Sequence, residues 1–127
     1  MGQRLALERK EDMTRPVVHF EIRGKDPARL QQFYRELFGW EINADNPMGY
    51  GFVSPGIGGP EAGVGGGITS GEPGVSIYVQ VVSLVDTLAK AEAMGGQTVM
   101  QPLDIPGRPT VAQFRDPEGN LIGLVKQ

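Results

Sequence analysis

The strongest constraint on the fold is a pattern that occurs twice along the chain. A strand-like stretch that starts at Val17 precedes a helix-like stretch that stops at Gly39. A second stretch starts at Val75 and precedes a helix that stops at Gly95, at nearly the same spacing. Several short strands follow each helix. Such self-similarity indicates an internal duplication, so we predict two copies of one strand–helix–strands unit.

In the first unit, residues 17–24 alternate apolar and polar side chains, which predicts a strand with one face toward the core. Asp26 is a good N-cap and Pro27 fits the first position of a helix that ends at Gly39. The apolar residues of this helix fall at helical spacing and form one continuous stripe: Leu30, Phe33, Tyr34, Leu37 and Phe38.

The remainder of the chain predicts further strands and one more helix. We expect strands over 40–45 and 50–54, a glycine-rich strand over 62–68 and a connection over 69–74. In the second unit, Ser83 caps a helix that ends at Gly95. A short strand over 97–100 and a hairpin over 108–115 and 121–126 follow, with its turn at Asp116–Asn120.

Composition excludes several classes of function. The 127 residues suffice for one domain, which we place at 16–127 after a tail at 1–15, with modules at 16–70 and 74–126. Without cysteine there is no thiolate chemistry. A net charge of −3 argues against a nucleic-acid partner, and no apolar run is long enough to span a membrane. The lack of a targeting signal predicts a cytoplasmic protein.

Several motifs together resemble the vicinal oxygen chelate family, which includes glyoxalases, bleomycin-resistance proteins and extradiol dioxygenases. They are the opening strand 17–22, the helix end 33–40, the second helix end 93–96 and the terminal hairpin 116–124. Their order and spacing cover residues 16 to 126. The resemblance implies an α+β fold in which two βαβββ modules form curved mixed sheets around a cavity. It also implies a homodimer.

Active members of this family hold a metal on the cavity face, and this chain lacks most of the matching ligands. The first-strand ligand maps onto His19, the second-half ligand onto Ser76 and the last-strand glutamate onto Gly123. A fourth would fall near 65–67, where the chain has only glycine. A catalytic zinc typically keeps three protein ligands. We therefore expect no metal and no other cofactor.

Strand alternation predicts which side chains line the cavity. His19 and Glu21 are the candidate acid–base pair, because alternate residues on one strand face lie roughly 6.5–7 Å apart. Arg23 can extend that face or pair with Glu21. The candidate ligand-binding residues are Trp40, Phe52, Ser76, Tyr78, Gln80, Gln113 and Arg115.

Four functions stay open at this point. The first is capture of a small organic molecule in the cavity without a metal. The second is a metal-free lyase or isomerase with His19 or Glu21 as the base. The third is a metal-dependent glyoxalase or dioxygenase with a rearranged site that uses Glu21, Gln80 or Gln113. The fourth is a module that binds another protein. Whether the chain is an enzyme is left undecided.

Overall fold

A computed structural model describes residues 14–55 and 63–127 of the chain. The first half contains β1 (Val17–Gly24), α1 (Pro27–Phe38), β2 (Ile42–Asn43), β3 (Gly51–Val53) and β4 (Gly66–Ser70). The second half contains β5 (Gly74–Val81), α2 (Leu84–Ala93), β6 (Gln97–Leu103), β7 (Val111–Arg115) and β8 (Leu121–Lys126). Most of the predicted tail lies outside the described residues.

All eight strands belong to one mixed sheet in the order β2-β3-β4-β1-β5-β8-β7-β6. The first strands of the two halves, β1 and β5, are antiparallel neighbours at its centre. In each half the first strand also pairs in parallel with the last, β1 with β4 and β5 with β8. The two halves are thus arranged alike about the centre of the sheet, as the duplicated pattern predicts.

Most elements fall where the sequence places them, and β4 is the clearest difference. β1, β8 and the start of α1 have the predicted bounds, with the Asp26 side chain accepting from the Arg29 backbone N–H. The glycine-rich strand runs over Gly66–Ser70 instead of 62–68. The strand extends later because Thr69 and Ser70 pair with the end of β1. Part of the predicted range lies outside the described residues.

The two helices pack in different ways. α2 covers an apolar core in the second half, formed by Val81, Leu84, Leu88, Ala112 and Leu124. α1 buries only Gln31, whose Nε2 donates to the Ile68 carbonyl at 3.0 Å.

Gly51 makes room for Gln31, because a Cβ there would lie 2.6 Å from its Nε2. Within the apolar stripe of α1, Leu30 and Tyr34 are half-buried, whereas Phe33, Leu37 and Phe38 are each more than half exposed. In the part of the chain that the structure describes, no helix combines the length and apolar character needed to cross a membrane.

Candidate functional site

The pairing of β1 with β5 gathers polar side chains at the centre of the sheet. Glu21 lies opposite Ser76, and His19 lies opposite Tyr78. On its other side, β5 pairs with β8, and Tyr78 lies opposite Gly123. Residues directly opposite each other point to the same face of a sheet, so these side chains share one face.

Glu21 is the centre of a hydrogen-bond network on this face. Glu21 is only 7% exposed, and each of its two carboxylate oxygens has a hydrogen-bond donor within the protein. The Tyr50 hydroxyl donates to Oε2 at 3.0 Å, and Arg23 Nη1 lies 3.4 Å from Oε1. The same Arg23 nitrogen donates to Ser76 Oγ at 3.0 Å. A buried carboxylate needs such partners, and the network supplies them.

Tyr50 belongs to the site, although the sequence analysis did not select it. It precedes β3, and the Asn46 side chain holds it by accepting from its backbone N–H at 3.0 Å. Its hydroxyl lies 2.9 Å from His19 Nε2. Burial and the adjacent Glu21 raise the pKa of Tyr50, so the hydroxyl stays protonated and acts as a donor.

Tyr78 takes a matching position in the second half. Its hydroxyl accepts from Gln113 Nε2 at 3.0 Å, and its ring meets the His19 ring edge-on with centroids 5.5 Å apart. Burial, followed by the charge of Glu21, raises the pKa of Tyr78. Both tyrosines therefore remain neutral at physiological pH.

Each tyrosine ring covers a glycine of a neighbouring strand. The Tyr50 ring lies over Gly67, and the Tyr78 ring lies over Gly123. A Cβ built at either glycine would overlap the ring above it. Glycine permits this close approach because it has no side chain. A glycine within a strand is therefore the feature of the sequence that could have indicated a ring packed above it.

His19 is influenced by a second residue that the sequence analysis missed. Burial lowers the pKa of His19, Glu21 opposes that shift, and the positive charge of Arg108 adds to it. Arg108 lies on the loop between β6 and β7, with its guanidinium carbon 3.8 Å from the centroid of the Phe52 ring. Phe52 packs against Tyr50, with ring centroids 4.6 Å apart. Arg108 therefore lies next to Phe52 and Tyr50, the aromatic residues at one side of the site.

A cleft opens where β5 and β8 separate. Their parallel pairing begins only at Tyr78 and Gly123, so residues 74–77 of β5 have no partner on that side. The cleft has a volume of about 450 Å³. Polar and apolar side chains line it, among them Arg23, Ser76, Ile77, Arg115, Leu121 and Ile122. This volume lies within the range of small-molecule pockets.

The structure brings most of the predicted site residues together, in two places. His19, Glu21, Tyr78 and Gln113 belong to the network, while Ser76 and Arg115 line the cleft.

Three predicted residues lie elsewhere. Phe52 contacts Arg108 above the network. The Gln80 side chain bonds to none of the described residues, and its backbone N–H donates to Pro16. Trp40 does not join the group and stacks on Tyr34 of α1, with centroids 5.1 Å apart. It also contacts Phe20, which alternates with Glu21 and so points to the other face of β1. Its predicted place in the cavity wall is therefore wrong.

The residues present do not fit the metal site of active family members. Among the described residues, no three His, Asp or Glu side chains are grouped as metal ligands. Gly123 and the glycines at 65–67, where the resemblance places two of the metal ligands, have no side chain, and tyrosine rings fill the space above Gly67 and Gly123. Arg23 and Tyr50 already engage the Glu21 carboxylate.

The chain belongs to the Glyoxalase/Bleomycin resistance protein/Dioxygenase superfamily, whose sequence model matches residues 17–124. A curated protein of Mycobacterium bovis named "Putative glyoxylase CFP32" is 39% identical over 70 residues. That match covers 52% of this chain and only 27% of the relative, so the chain corresponds to a part of the longer protein.

Solved structures share the fold. A glyoxalase/bleomycin resistance protein/dioxygenase superfamily member from Vibrio splendidus has a TM-score of 0.61 at 18% identity, covering 90% of this chain and 100% of its own. Methylmalonyl-CoA epimerase from Mycobacterium tuberculosis has a TM-score of 0.59 at 14% identity, covering 87% and 86%. At these identities the likeness concerns the fold alone.

Proposed function

We propose that the chain binds a small organic molecule without a metal, in the cleft between β5 and β8. The observation that carries this proposal is the separation of the two strands, which leaves a cleft of about 450 Å³ lined about equally by polar and apolar groups, among them Ser76, Arg115 and Leu121. Small-molecule sites combine apolar walls with polar groups that orient the ligand, and here Ile77 and Leu121 supply the first while Ser76 and Arg115 supply the second.

The loss of metal ligands supports this proposal over a metal-dependent glyoxalase or dioxygenase. A rearranged site would have to recruit Glu21, Gln80 or Gln113. Glu21 is held by Arg23 and Tyr50, and Gln113 donates to Tyr78. Only His19 remains among the family positions, and one imidazole does not hold a catalytic zinc.

The test is native mass spectrometry after incubation with a broad pool of metabolites. We expect one bound species per chain for the wild type. Leu121→Trp places a large side chain in the cleft and should abolish binding. Leu103→Trp makes the same change at an exposed position of β6 and should leave binding intact. Absence of any bound species, or binding that survives Leu121→Trp, would contradict the proposal.

A second candidate is a metal-free lyase or isomerase, and the geometry favours His19 over Glu21 as its base. Both oxygens of Glu21 accept hydrogen bonds, whereas burial lowers the pKa of His19 and keeps its imidazole neutral at pH 7. Proton transfer by a positioned base contributes typically about 10²–10⁴-fold to the rate. Turnover of any captured ligand should therefore fall by that factor in His19→Ala. Turnover that survives both His19→Ala and Glu21→Ala excludes this candidate.

We also propose that the chain forms a homodimer through the exposed apolar face of α1. Phe33, Leu37 and Phe38 are 52%, 57% and 58% exposed, and single-domain family members usually pair. A second copy offers the same face, so the contact would be self-complementary. We expect light scattering to report a dimer for the wild type and a monomer for Leu37→Glu. Gln32→Glu adds the same charge at an exposed polar position of α1 and should stay dimeric. A monomeric wild type would contradict this proposal.

A further inference from the structure

The hydrogen bonds around Tyr50 determine where the proton of His19 lies. A tyrosine hydroxyl has one proton to donate, and Tyr50 donates it to Glu21 Oε2 at 3.0 Å. The same hydroxyl also forms a hydrogen bond of 2.9 Å with His19 Nε2. In that bond the hydroxyl oxygen must accept, so the imidazole is the donor. The neutral imidazole therefore carries its proton on Nε2.

The opposite arrangement is unfavourable. If Tyr50 donated to His19 instead, Glu21 Oε2 would lose its donor while 7% exposed. An ionised acceptor forms the stronger hydrogen bond, and an unsatisfied buried acceptor costs about 1–3 kcal/mol. The salt bridge from Arg23 keeps the carboxylate a charged acceptor.

The other imidazole nitrogen is left with its lone pair. No described residue forms a hydrogen bond with His19 Nδ1, while every buried side-chain nitrogen and oxygen of the described residues has a partner. Nδ1 is therefore not one of the buried atoms and can be reached by a ligand. The Arg108 guanidinium, stacked on Phe52, stands above this end of the sheet.

We propose that Tyr50 is a positioning residue that fixes His19 as the Nε2–H tautomer, so that Nδ1 is the proton acceptor offered to the ligand. The ligand is then a small molecule that presents an O–H or N–H donor at this point. A hydroxyl attached to a flat apolar group fits best, because the Tyr50 and Phe52 rings pack together beside His19. His19 does not line the cleft between β5 and β8, so this contact is a second point of ligand binding on the network face and stands apart from the proposed cleft site.

The experiment uses nuclear magnetic resonance of ¹⁵N-histidine-labelled protein at pH 8, where His19 is the chain's single histidine and is neutral. We expect the Nε2–H tautomer, with an Nε2–H proton that exchanges slowly with water. In Tyr50→Phe the exchange should become at least about 5-fold faster, since a lost hydrogen bond corresponds to about 1 kcal/mol or more and about 1.4 kcal/mol is tenfold. A wild type with the proton on Nδ1, or unchanged exchange in Tyr50→Phe, would overturn the proposal.

Two control variants separate the hydrogen bond from ring packing. Tyr78→Phe keeps the ring that meets His19 edge-on, and Tyr34→Phe removes a hydroxyl on α1. Both should retain slow exchange at His19. If either one accelerates exchange as much as Tyr50→Phe does, the effect is a general loosening and the proposed role of Tyr50 is refuted.

The ligand chemistry is tested with phenol and anisole, which differ by the hydroxyl proton. Phenol should shift the Nδ1 resonance, and anisole at the same concentration should not. Equal shifts, or none with either probe, would overturn the donor requirement. These results are separate from the proposed cleft binding, which fails if no species binds, if binding survives Leu121→Trp, or if purified protein carries about one metal ion per chain.

Discussion

Gly123 and Tyr78 should behave as a coupled pair. A methyl group at Gly123 would overlap the Tyr78 ring, and both residues lie in the paired core of the sheet. Overpacking of this kind costs about 1–3 kcal/mol, so Gly123→Ala should lower the free energy of unfolding by that amount. In a Tyr78→Val background the ring is gone. The same Gly123→Ala change should then be neutral or stabilise by up to about 1 kcal/mol, as alanine restricts the unfolded chain.

Urea unfolding followed by circular dichroism measures all four proteins of this double-mutant cycle. The expected coupling energy is about 2 kcal/mol, within the range seen for residues in contact. As a control, Tyr34→Val on α1 should combine additively with Gly123→Ala, because Tyr34 stacks on Trp40 and shares no partner given for Gly123 or Tyr78. Equal costs of Gly123→Ala with and without the Tyr78 ring would refute the claim that this ring fills the space above Gly123, where the resemblance places a metal ligand.

Three further predictions concern the hydrogen-bond network. Tyr50→Phe should lower the free energy of unfolding by about 2–3 kcal/mol in urea, because it removes the donor to a nearly buried carboxylate. Arg108→Gln should raise the pKa of His19, because the positive charge of Arg108 lowers it. The pKa is measured from the ring resonances of His19, and an unchanged value would show that Arg108 does not act on His19. Since burial lowers the pKa of His19 in the fold, its contribution to stability is complete above about pH 6.5 and declines as the pH falls through the folded pKa. His19→Gln should remove this part of the pH dependence between pH 8 and 5, and an unchanged profile would contradict the assignment.

The fold was largely predictable because local signals agree with the tertiary arrangement. Alternation defined β1, and Asp26 with Pro27 defined the start of α1. The orientation of α1 was not predictable from its apolar stripe. Its contact with the sheet depends on Gln31 and on the space that Gly51 leaves, and neither residue follows the periodic pattern.

The site was predictable where it depends on strand alternation and not where it depends on loops. His19, Glu21, Ser76 and Tyr78 share a face because β1 and β5 pair in register. Tyr50 and Arg108 lie just outside strands, in segments whose course the sequence does not fix.

Trp40 was misplaced for a related reason. It follows α1 and precedes β2, so no alternation defines its direction. Its position follows from stacking on Tyr34 and from its contact with Phe20, on the opposite face from Glu21.

Whether the chain binds a metal can be measured directly from the metal content of purified, tag-free protein. Cells would be grown with Zn, Ni, Co, Mn and Fe supplied, and elemental mass spectrometry would count the ions per chain. We expect far less than one ion per chain, because tyrosine rings cover Gly67 and Gly123. About one tightly bound ion per chain would contradict this expectation and direct attention to metal-dependent chemistry at His19.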